Sequence, residues 1–570
     1  MATDVKQHAQ RGGEAIRSGL DVMLADAVSG TPRFFAPGPA VKVAAGLVRR
    51  PRSVVRRAAG LTTELARTAS GRSELAPAGG DRRFSDPAWQ DNWLLRELLQ
   101  AYLAVGETVD GLIEDAGADW RTERQARLAA GNVMDALAPT NFPWSNPVVL
   151  REIVNTGGAN LATGLRRLAR DLSTPPRLPA TVDTSRFEVG GNLAVTPGSV
   201  VLRNEVLELI QYQPQSEQVR ATPLLVVPPT INKYYILDLA PGRSLIEYLV
   251  AQGQQTFAIS WRNPDQEQGH FDLDTYARAI SEARDAVAEI SGVDSVHMAA
   301  ACSGGIVTAG LVGHLAASGR LGDVASLTLM VCALDNAQAG TVSALATRDL
   351  AAAAVAESAR KGYVDGRALA GVFTWLRPND LVWSYVVNNY LLGKEPPAFD
   401  ILYWNQDTVR MAAGLHRDFI HIGLENSFTR PGALEVLGTP VDTSAVDVDV
   451  YAVAGLSDHI VPWENAYRSA QLFGGSRRFV LARSGHIQAL VNPPAAEGTE
   501  TRASYRVADD VSSDPEAFAA QTPKVPGSWW PDWDAWLAAR SGDMRQAPRA
   551  LGNRRFRAQA KAPGSYVLAS

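Results

Sequence analysis

The sequence predicts an α/β fold, with a mostly parallel sheet covered by helices on both faces and a mostly helical N-terminal domain before it. Two observations lead to this prediction. Short apolar runs alternate with helical periodicity after residue 180, which is typical of a parallel sheet. Residues 296–306 then read as an apolar strand, a turn of small residues with a thiol, and an apolar helix. With 570 residues, 46% of them hydrophobic, the chain can form two or three structural units.

The N-terminal part divides into an extension and a helical domain. Residues 1–80 are rich in Ala and Arg and carry twelve Lys plus Arg against six Asp plus Glu. We interpret them either as a mobile extension or as an amphipathic segment that rests on an apolar or anionic surface. Residues 85–87 are a helix-start signal, and the helical periodicity that follows predicts a helical domain at 81–180. It ends in a linker with three prolines at 174–179.

The catalytic domain is predicted at 181–545, followed by a C-terminal tail at 546–570. Apolar runs predict its strands at 224–227, 256–261, 296–301, 326–334, 446–453 and 478–482, and helical patterns predict helices at 276–290 and 304–317. The strand pattern disappears between about 336 and 437. We therefore expect a helical cap insertion there, above the active site.

The turn after the third of these strands has the outline of a nucleophile elbow, the strained strand-to-helix turn that presents a nucleophile in α/β-hydrolases. The residues two before and two after the nucleophile must be small. Cys302 has Ala300 and Gly304 at these positions, and Ser303 has an alanine and a glycine there as well. Spacing alone therefore leaves Cys302 and Ser303 as alternatives.

The two partners of the nucleophile are expected downstream, because an α/β-hydrolase supplies nucleophile, acid and histidine in that order, each after a strand. Asp458 follows the strand predicted at 446–453, and His486 follows the one at 478–482. His459 also follows a strand but shares the loop of Asp458, so we favour His486 as the base and treat His459 as a neighbouring substrate-binding candidate. This order predicts the α/β-hydrolase fold.

Other site residues follow from position relative to the strands. A tetrahedral oxyanion needs two backbone donors, which we expect from the amides of Ser303 and Ile231. Arg262 and Asn263 lie at a strand end as substrate-binding candidates, and Arg262 either meets phosphates of a substrate or forms a buried ion pair. Four tryptophans at near-helical spacing, at 529, 530, 533 and 536, favour core packing over a binding site.

Composition excludes several classes of protein. A net charge of -5 argues against a nucleic-acid binder. The chain has only two cysteines, Cys302 and Cys332, and no Cys or His spacing typical of a metal site. We expect no cofactor and no metal. The start of the chain lacks the apolar region of a signal peptide, and no apolar run is long enough for a transmembrane segment. These features predict a cytoplasmic protein.

Several motifs then carry a family resemblance. They are RRFSDPAW at 82–89, PPTINKYY at 228–235, SWRNP at 260–264, ACSGG at 301–305, RPNDLVW at 377–383, NNYLLG at 388–393, FDILYWN at 399–405, SGHIQ at 484–488, SWW at 528–530 and APGSYV at 562–567. They resemble the polyhydroxyalkanoate synthases, particularly the class II, medium-chain-length type. The likeness begins at about residue 82. The family commonly has glycine where Ala300 stands.

The resemblance implies an activity. It places the nucleophile on Cys302, the acid on Asp458 and the base on His486. It implies that (R)-3-hydroxyacyl-CoA thioesters are polymerised into a polyester with release of CoA through an acyl-cysteine. Asp458 either orients His486 or activates the 3-hydroxyl of the incoming unit. It also implies a homodimer and association with polyester granules. The alternatives are a cysteine-dependent acyl-CoA thioesterase or esterase, and an inert granule-coating protein.

Overall fold

The computed structural model describes residues 37–173, 177–336, 348–366, 378–458, 460–496, 498–499, 501–509, 511 and 514–569. His459 lies outside these residues, as do 1–36 of the predicted extension and two stretches of the predicted insertion. By contacts between residues the chain separates into two compact units. Of these described residues, those in 37–185 and 378–399 belong to the first, helical unit, and those in 186–366 and 400–569 belong to the second, catalytic unit.

The helical unit contains long amphipathic helices, as the periodicity of the sequence predicts. Its helices in chain order are α1 (Pro37–Val48), α2 (Pro51–Ala69), α3 (Ala88–Asp91), α4 (Trp93–Asp115), α5 (Trp120–Ala136), α6 (Pro147–Thr156) and α7 (Ala159–Ser173). The α4 and α6 helices each begin after an asparagine whose side chain accepts hydrogen bonds from two amides of the first turn. The predicted helical N-terminal region is therefore confirmed.

The described part of the predicted extension contains two helices, which does not fit the first of the two interpretations, a mobile extension. Helix α1 packs in the helical unit through Val43, which lies in a buried apolar cluster, and α2 packs there with two arginines paired to a carboxylate. Arg56 and Arg57 lie 2.9 and 2.8 Å from Asp115 at the end of α4. These hydrogen bonds lower the pKa of Asp115 to about 2. Two of the basic residues of the segment thus form ion pairs with a carboxylate of the same unit.

Part of the predicted cap insertion packs in the helical unit. Two short π-helical turns lie here: Asn379–Trp383 contacts α5, and Val386–Leu391 contacts α7. A Cβ at Gly164 of α7 would lie 1.8 Å from the carbonyl oxygen of Tyr390, so only glycine allows this approach. Asn160 donates a hydrogen bond of 2.7 Å to the carbonyl of Leu391.

In the described part of the chain, the catalytic unit contains one large sheet and three small ones. Its strands are β1 (Gly198–Arg203), β2 (Leu207–Tyr212), β3 (Gln218–Arg220), β4 (Leu224–Val227), β5 (Thr256–Trp261), β6 (Val296–Ala301), β7 (Val324–Met330), β8 (Tyr363–Val364), β9 (Met411–Ala412), β10 (Leu434–Val436), β11 (Thr439–Val441), β12 (Val450–Gly455), β13 (Arg477–Ala482), β14 (Ser504–Ala508), β15 (Val525–Pro526), β16 (Met544–Gln546) and β17 (Ala560–Lys561). Over the described residues, the large sheet has the order β15-β14-β13-β12-β7-β6-β4-β5-β2-β1-β17.

The centre of the large sheet is parallel and its margins are antiparallel. The pairs from β13 through β12, β7, β6 and β4 to β5 are all parallel. Every residue of β4, β5 and β6 is buried, as expected for strands covered on both faces. The strands predicted at 224–227, 256–261 and 296–301 are confirmed. The one predicted at 326–334 ends at Met330, because Val331 turns to a φ of 47°.

The helices of the catalytic unit cover both faces of the sheet and join its parallel strands. They are α8 (Leu245–Ala251), α9 (Leu273–Ser291), α10 (Ser303–Ala317), α11 (Arg348–Lys361), α12 (Asp400–Gln406), α13 (Ala413–Glu425), α14 (Trp463–Gln471), α15 (His486–Leu490), α16 (Pro515–Gln521) and α17 (Trp530–Ala538). Within the described ranges, none of the helices has the length and apolar composition needed to cross a membrane.

The tryptophans near the C-terminus belong to the core, as predicted. Trp529, Trp530 and Trp533 are at most 1% exposed. The indole of Trp533 donates to the hydroxyl of Thr328 at 3.0 Å, and that of Trp529 donates to the carbonyl of Ala489 at 2.8 Å. The satisfied N–H groups of these two indoles are typical of core packing, whereas the indole of Trp530 is buried without a hydrogen-bond partner among the described residues.

The C-terminal segment completes the far margin of the large sheet. Strand β17 pairs with β1, and Glu208 of β2, which is fully buried, accepts hydrogen bonds from Ser565 and from the amide of Tyr566. The guanidinium of Arg203 pairs with the same carboxylate at 2.6 Å. Residues predicted to be a tail therefore satisfy a buried charge.

Candidate active site

The turn between β6 and α10 has the geometry of a nucleophile elbow. Cys302 lies at its apex with φ 50° and ψ -122°, a strained conformation for a residue with a side chain. The amide of Cys302 donates to the carbonyl of Met330 at 2.9 Å, which fixes the turn to β7. A Cβ at Gly304 would lie 2.2 Å from the carbonyl oxygen of Pro228, so the turn requires glycine there.

The backbone geometry separates Cys302 from Ser303, which spacing leaves open. Cys302 is half-buried at the strained position. Ser303 is the first residue of α10 and 1% exposed, and its Oγ accepts hydrogen bonds from the amide and hydroxyl of Thr230 at 2.9 and 3.0 Å. The thiol is therefore the accessible group of the elbow, while the hydroxyl is engaged inside the protein.

The loops that carry Asp458 and His486 are joined to each other. The amide of Leu456 donates to the carbonyl of Ala482, and the amide of Ser457 donates to that of Ser484 at 3.0 Å. A Cβ at Gly455, the last residue of β12, would lie 2.7 Å from the Ser484 oxygen. Glycine at this position lets the loops approach closely enough for their side chains to meet.

Asp458 and His486 form a buried pair. Nδ1 of His486 lies 2.7 Å from Oδ2 of Asp458, and the side chains are 5% and 0% exposed. Oδ1 of Asp458 accepts hydrogen bonds from the amides of Ile460 and Val461 at 2.8 and 2.9 Å. Both carboxylate oxygens are thus occupied, and Nδ1–H of the imidazole donates to one of them. The other ring nitrogen is left for the thiol.

Charge at the site governs the protonation of His486. Burial lowers the pKa of the imidazole, but the charge of Asp458 and the charge of Cys302, each together with a hydrogen bond, outweigh it and raise the pKa to about 10. A protonated imidazole next to a sulfur favours the thiolate, which is the nucleophilic form of cysteine. The structure therefore brings Cys302, Asp458 and His486 together in an arrangement capable of acyl transfer.

The loop after β4 lies beside the elbow, as expected for an oxyanion hole. Ile231, the predicted second donor, is half-buried and directly follows Thr230, whose amide is already bonded to Ser303. The indole of Trp261 donates to the carbonyl of Pro228 at 3.1 Å and holds the start of the loop. The Ile231 amide is the next donor along the loop.

Sequence reasoning missed a buried ion pair at the end of this loop. Nζ of Lys233, a residue 6% exposed, lies 2.7 Å from Oδ1 of Asp407, and the hydroxyl of Tyr235 donates to Oδ2 of the same carboxylate at 2.9 Å. The indole of Trp404 donates to the carbonyl of Lys233 at 2.7 Å. Because the two charges are 174 positions apart, no local pattern predicts that they pair. The sequence offers only their position, since Lys233 lies in the motif at 228–235 and Asp407 lies just after the motif at 399–405.

The remaining predicted residues lie at the end of β5 or outside the described ranges. The guanidinium of Arg262 lies 5.9 Å from the ring centroid of Tyr566, and among the described residues it is in no ion pair with a carboxylate. Oδ1 of Asn263, which is buried, accepts a hydrogen bond from the amide of Arg410 at 2.9 Å. Asn263 thus holds the backbone of another segment. His459 lies outside the described residues.

Two family models match the chain. One, described as the poly-beta-hydroxybutyrate polymerase (PhaC) N-terminus, matches residues 80–249. The other, described as the alpha/beta hydrolase fold, matches residues 223–493 and covers the elbow and both of its partners. The α/β-hydrolase fold predicted from the order of strands and polar residues is confirmed.

Curated relatives cover most of the chain. Poly(3-hydroxyalkanoate) polymerase 1 of Ectopseudomonas oleovorans is 46% identical over 520 residues, which are 91% of this chain and 92% of the relative. Poly(3-hydroxyalkanoate) polymerase 2 of the same organism is 45% identical over 521 residues, again 91% and 92%. The poly(3-hydroxyalkanoate) polymerase subunit PhaC of Cupriavidus necator is 41% identical over 515 residues, 88% of this chain and 85% of the relative.

Proposed function

This chain belongs to the poly(3-hydroxyalkanoate) polymerase family, and we propose that it polymerises (R)-3-hydroxyacyl-CoA through an acyl intermediate on Cys302. The observation that carries this proposal is the half-buried thiol at a strained turn beside an imidazole whose pKa is raised to about 10. The acyltransferase activity of this chain follows from its family. That Cys302 is the acylated residue is our proposal.

The first half of the proposed reaction loads the enzyme. The thiolate of Cys302 attacks the thioester carbonyl, and the amides of Ser303 and Ile231 stabilise the oxyanion. The bond to the CoA sulfur then breaks, and the departing sulfur takes the proton held by His486. One thioester replaces another, so this step is close to isoenergetic and reversible. A cysteine suits such an exchange better than a serine, whose ester would be a deeper energy well.

The second half forms the polymer bond. The 3-hydroxyl of another hydroxyacyl-CoA attacks the acyl group on Cys302, its proton passes to His486, and the cysteine sulfur leaves. The new ester carries a longer chain as a CoA thioester, which acylates Cys302 again with release of CoA. An acceptor hydroxyl in place of water distinguishes this reaction from that of a thioesterase.

For Asp458 we propose the orienting role. Its Oδ2 lies on Nδ1 of His486 and its Oδ1 accepts two backbone amides, while its side chain is fully buried. A carboxylate engaged on both oxygens fixes the tautomer and stabilises the imidazolium. Direct activation of a substrate hydroxyl would require it to give up one of these partners.

The proposal extends to class II, the medium-chain-length type, which the motif resemblance favours. Purified protein incubated with (R)-3-hydroxyoctanoyl-CoA is expected to release free thiol and form insoluble polymer, and to do so faster than with (R)-3-hydroxybutyryl-CoA. Thiol release is followed with a thiol reagent and the product is identified by sedimentation and mass spectrometry. Soluble 3-hydroxy acid as the product would favour the thioesterase alternative, and no thiol release would favour the inert coating protein.

We also propose that the helical unit contacts the surface of the polyester granule, in the cytoplasm. Large apolar side chains are unusually exposed on this unit: Trp93 is 62% exposed, Trp120 51% and Trp144 72%. We take these exposed indoles as the contact surface, because an aliphatic polyester is an apolar partner. Burial of the three indoles would provide the affinity.

Replacing these three tryptophans by glutamine is expected to weaken binding to polyester nanoparticles about tenfold or more, because the apolar area buried on binding is lost. Co-sedimentation measures the binding. The matched control changes Met544 and Leu568, which are 50% and 58% exposed on the catalytic unit, to glutamine and should bind as before. Equal loss in both variants would contradict a specific role of the helical unit.

The homodimer implied by the resemblance is tested by light scattering of the same samples.

A further inference from the structure

We propose that Thr230 and Ser303 are positioning residues that set the separation of the two oxyanion donors. The inference rests on the proposed function, since it concerns the same site. Ser303 contributes an amide at the elbow and a side-chain oxygen that accepts from Thr230. Thr230 directly precedes Ile231. One expected donor is therefore the amide of Ser303, a member of this hydrogen-bonded pair, and the other is the amide of Ile231, which follows the second member.

The pair joins the loop to the helix at the level of the donors. Thr230 and Ser303 are 4% and 1% exposed, so water does not compete for their hydrogen bonds. The amide of Thr230 donates at 2.9 Å and its hydroxyl at 3.0 Å to the same oxygen. One oxygen thus receives two donors, which restricts both the distance and the orientation of the loop relative to α10.

The ends of the loop are held independently of this pair. The carbonyl of Pro228 accepts the indole of Trp261, and Lys233 is fixed by its ion pair with Asp407. Removal of the pair therefore releases only the middle of the loop, where Ile231 lies. A local effect on the oxyanion hole is expected, with the surrounding fold retained.

The chemical consequence concerns the tetrahedral intermediate. Donors stabilise an oxyanion only when they lie about 2.7–3.1 Å from its position, and removal of one donor typically lowers kcat by 10²–10³-fold. When their positioning is lost, both amides remain but are displaced, so kcat falls less than when a donor is removed. Binding of the substrate in its ground state makes little use of these donors, so KM should change little.

The test uses Thr230→Val, which removes the hydroxyl at nearly constant volume, Ser303→Ala, and the double variant. Each is expected to lower kcat per acylatable site about tenfold with KM within about twofold. The double variant should be about as slow as Ser303→Ala, because loss of the Ser303 oxygen already removes both hydrogen bonds, of which Thr230→Val removes one. Thr230→Ser keeps the hydroxyl and should restore most of the rate. Acylatable Cys302 is counted by mass spectrometry, so misfolded protein does not enter kcat.

Each outcome decides the inference. The pH dependence of kcat should be unchanged, because His486 and Asp458 are untouched; a shifted profile would assign the effect to the histidine instead and overturn the proposal. It is also overturned if Thr230→Val turns over at the wild-type rate, or if Thr230→Ser is as slow as Thr230→Val. If wild-type Cys302 is not acylated at all, the proposed function fails, whereas normal acylation with unaffected variants refutes the positioning role alone.

Discussion

Replacing Cys302 by alanine is expected to reduce CoA release from (R)-3-hydroxyoctanoyl-CoA at least about 10⁴-fold and to abolish polymer formation. The physical reason is that the reaction as proposed passes through a bond to this sulfur. The amide donors and the imidazole that remain cannot hold the growing chain between additions. Free thiol and sedimented polymer measure the loss, and mass spectrometry of the intact protein measures the missing acyl adduct.

The matched control is Cys332→Ala. Cys332 is 3% exposed, and burial together with the charge of Cys302 raises the pKa of its thiol well above the usual range, so it is a poor nucleophile. It packs against Gly305, where a Cβ would lie 2.6 Å from its Sγ. This variant should keep most of the activity with some loss of stability. Polymer formation by Cys302→Ala, or its loss in Cys332→Ala at normal folding, would assign the nucleophile elsewhere.

Replacing Asp458 by asparagine is expected to lower kcat by about 10²–10⁴-fold, because the imidazole loses both its tautomer and the charge that stabilises its protonated form. The structural reason is the 2.7 Å contact of Oδ2 with Nδ1 of His486. Initial rates of CoA release over a range of substrate concentrations separate this effect from binding. We expect the loss in kcat, with KM changed far less.

The same substitution should change the pH dependence of stability. The pKa of His486 is raised from 6.5 to about 10 in the folded state, so its protonation stabilises the fold fully below about pH 6.5, and this contribution is lost as the pH rises through about 10. The substitution removes the carboxylate charge that raises the pKa of His486, so protonation of the imidazole stabilises the folded state less. The difference in Tm between the wild type and Asp458→Asn should therefore be larger at pH 6.5 than at pH 10.

A suitable control is Asp442→Asn. Asp442 also caps a turn, accepting from the amide and hydroxyl of Ser444 at 2.9 and 2.7 Å, but it contacts no histidine among the described residues. Its substitution should lower Tm by a similar amount at both pH values and leave kcat unchanged. A Tm difference for Asp458→Asn that is constant between pH 6.5 and 10 would show that the carboxylate does not hold the imidazolium.

The sequence predicts those parts of the fold and the site that are encoded locally. The strands at 224–227 and 256–261 are found at the predicted residues because each is a short apolar run with clear ends. The order Cys302, Asp458, His486 can be predicted because each residue lies in the turn or loop that follows such a run. The short marginal strands β14 and β17 have no apolar pattern of their own, since they are defined by the neighbours they pair with.

Other features depend on contacts that a linear pattern does not contain. The choice between Cys302 and Ser303 rests on a backbone φ of 50° and on the burial of one hydroxyl, neither of which spacing reveals. The pairing of Lys233 with Asp407 joins distant segments. The pairing of the α2 arginines could not be predicted from the sequence, because their carboxylate partner Asp115 lies on another helix.

The C-terminal margin of the sheet bears on how this protein is made. During synthesis, β1 and β2 leave the ribosome long before Ser565 and Tyr566, whose amides donate hydrogen bonds to the carboxylate of Glu208. Until then the carboxylate has Arg203 as its ion-pair partner and β1 has an open edge. During translation the nascent chain therefore has an unpaired edge at β1 until residues 560–566 have emerged.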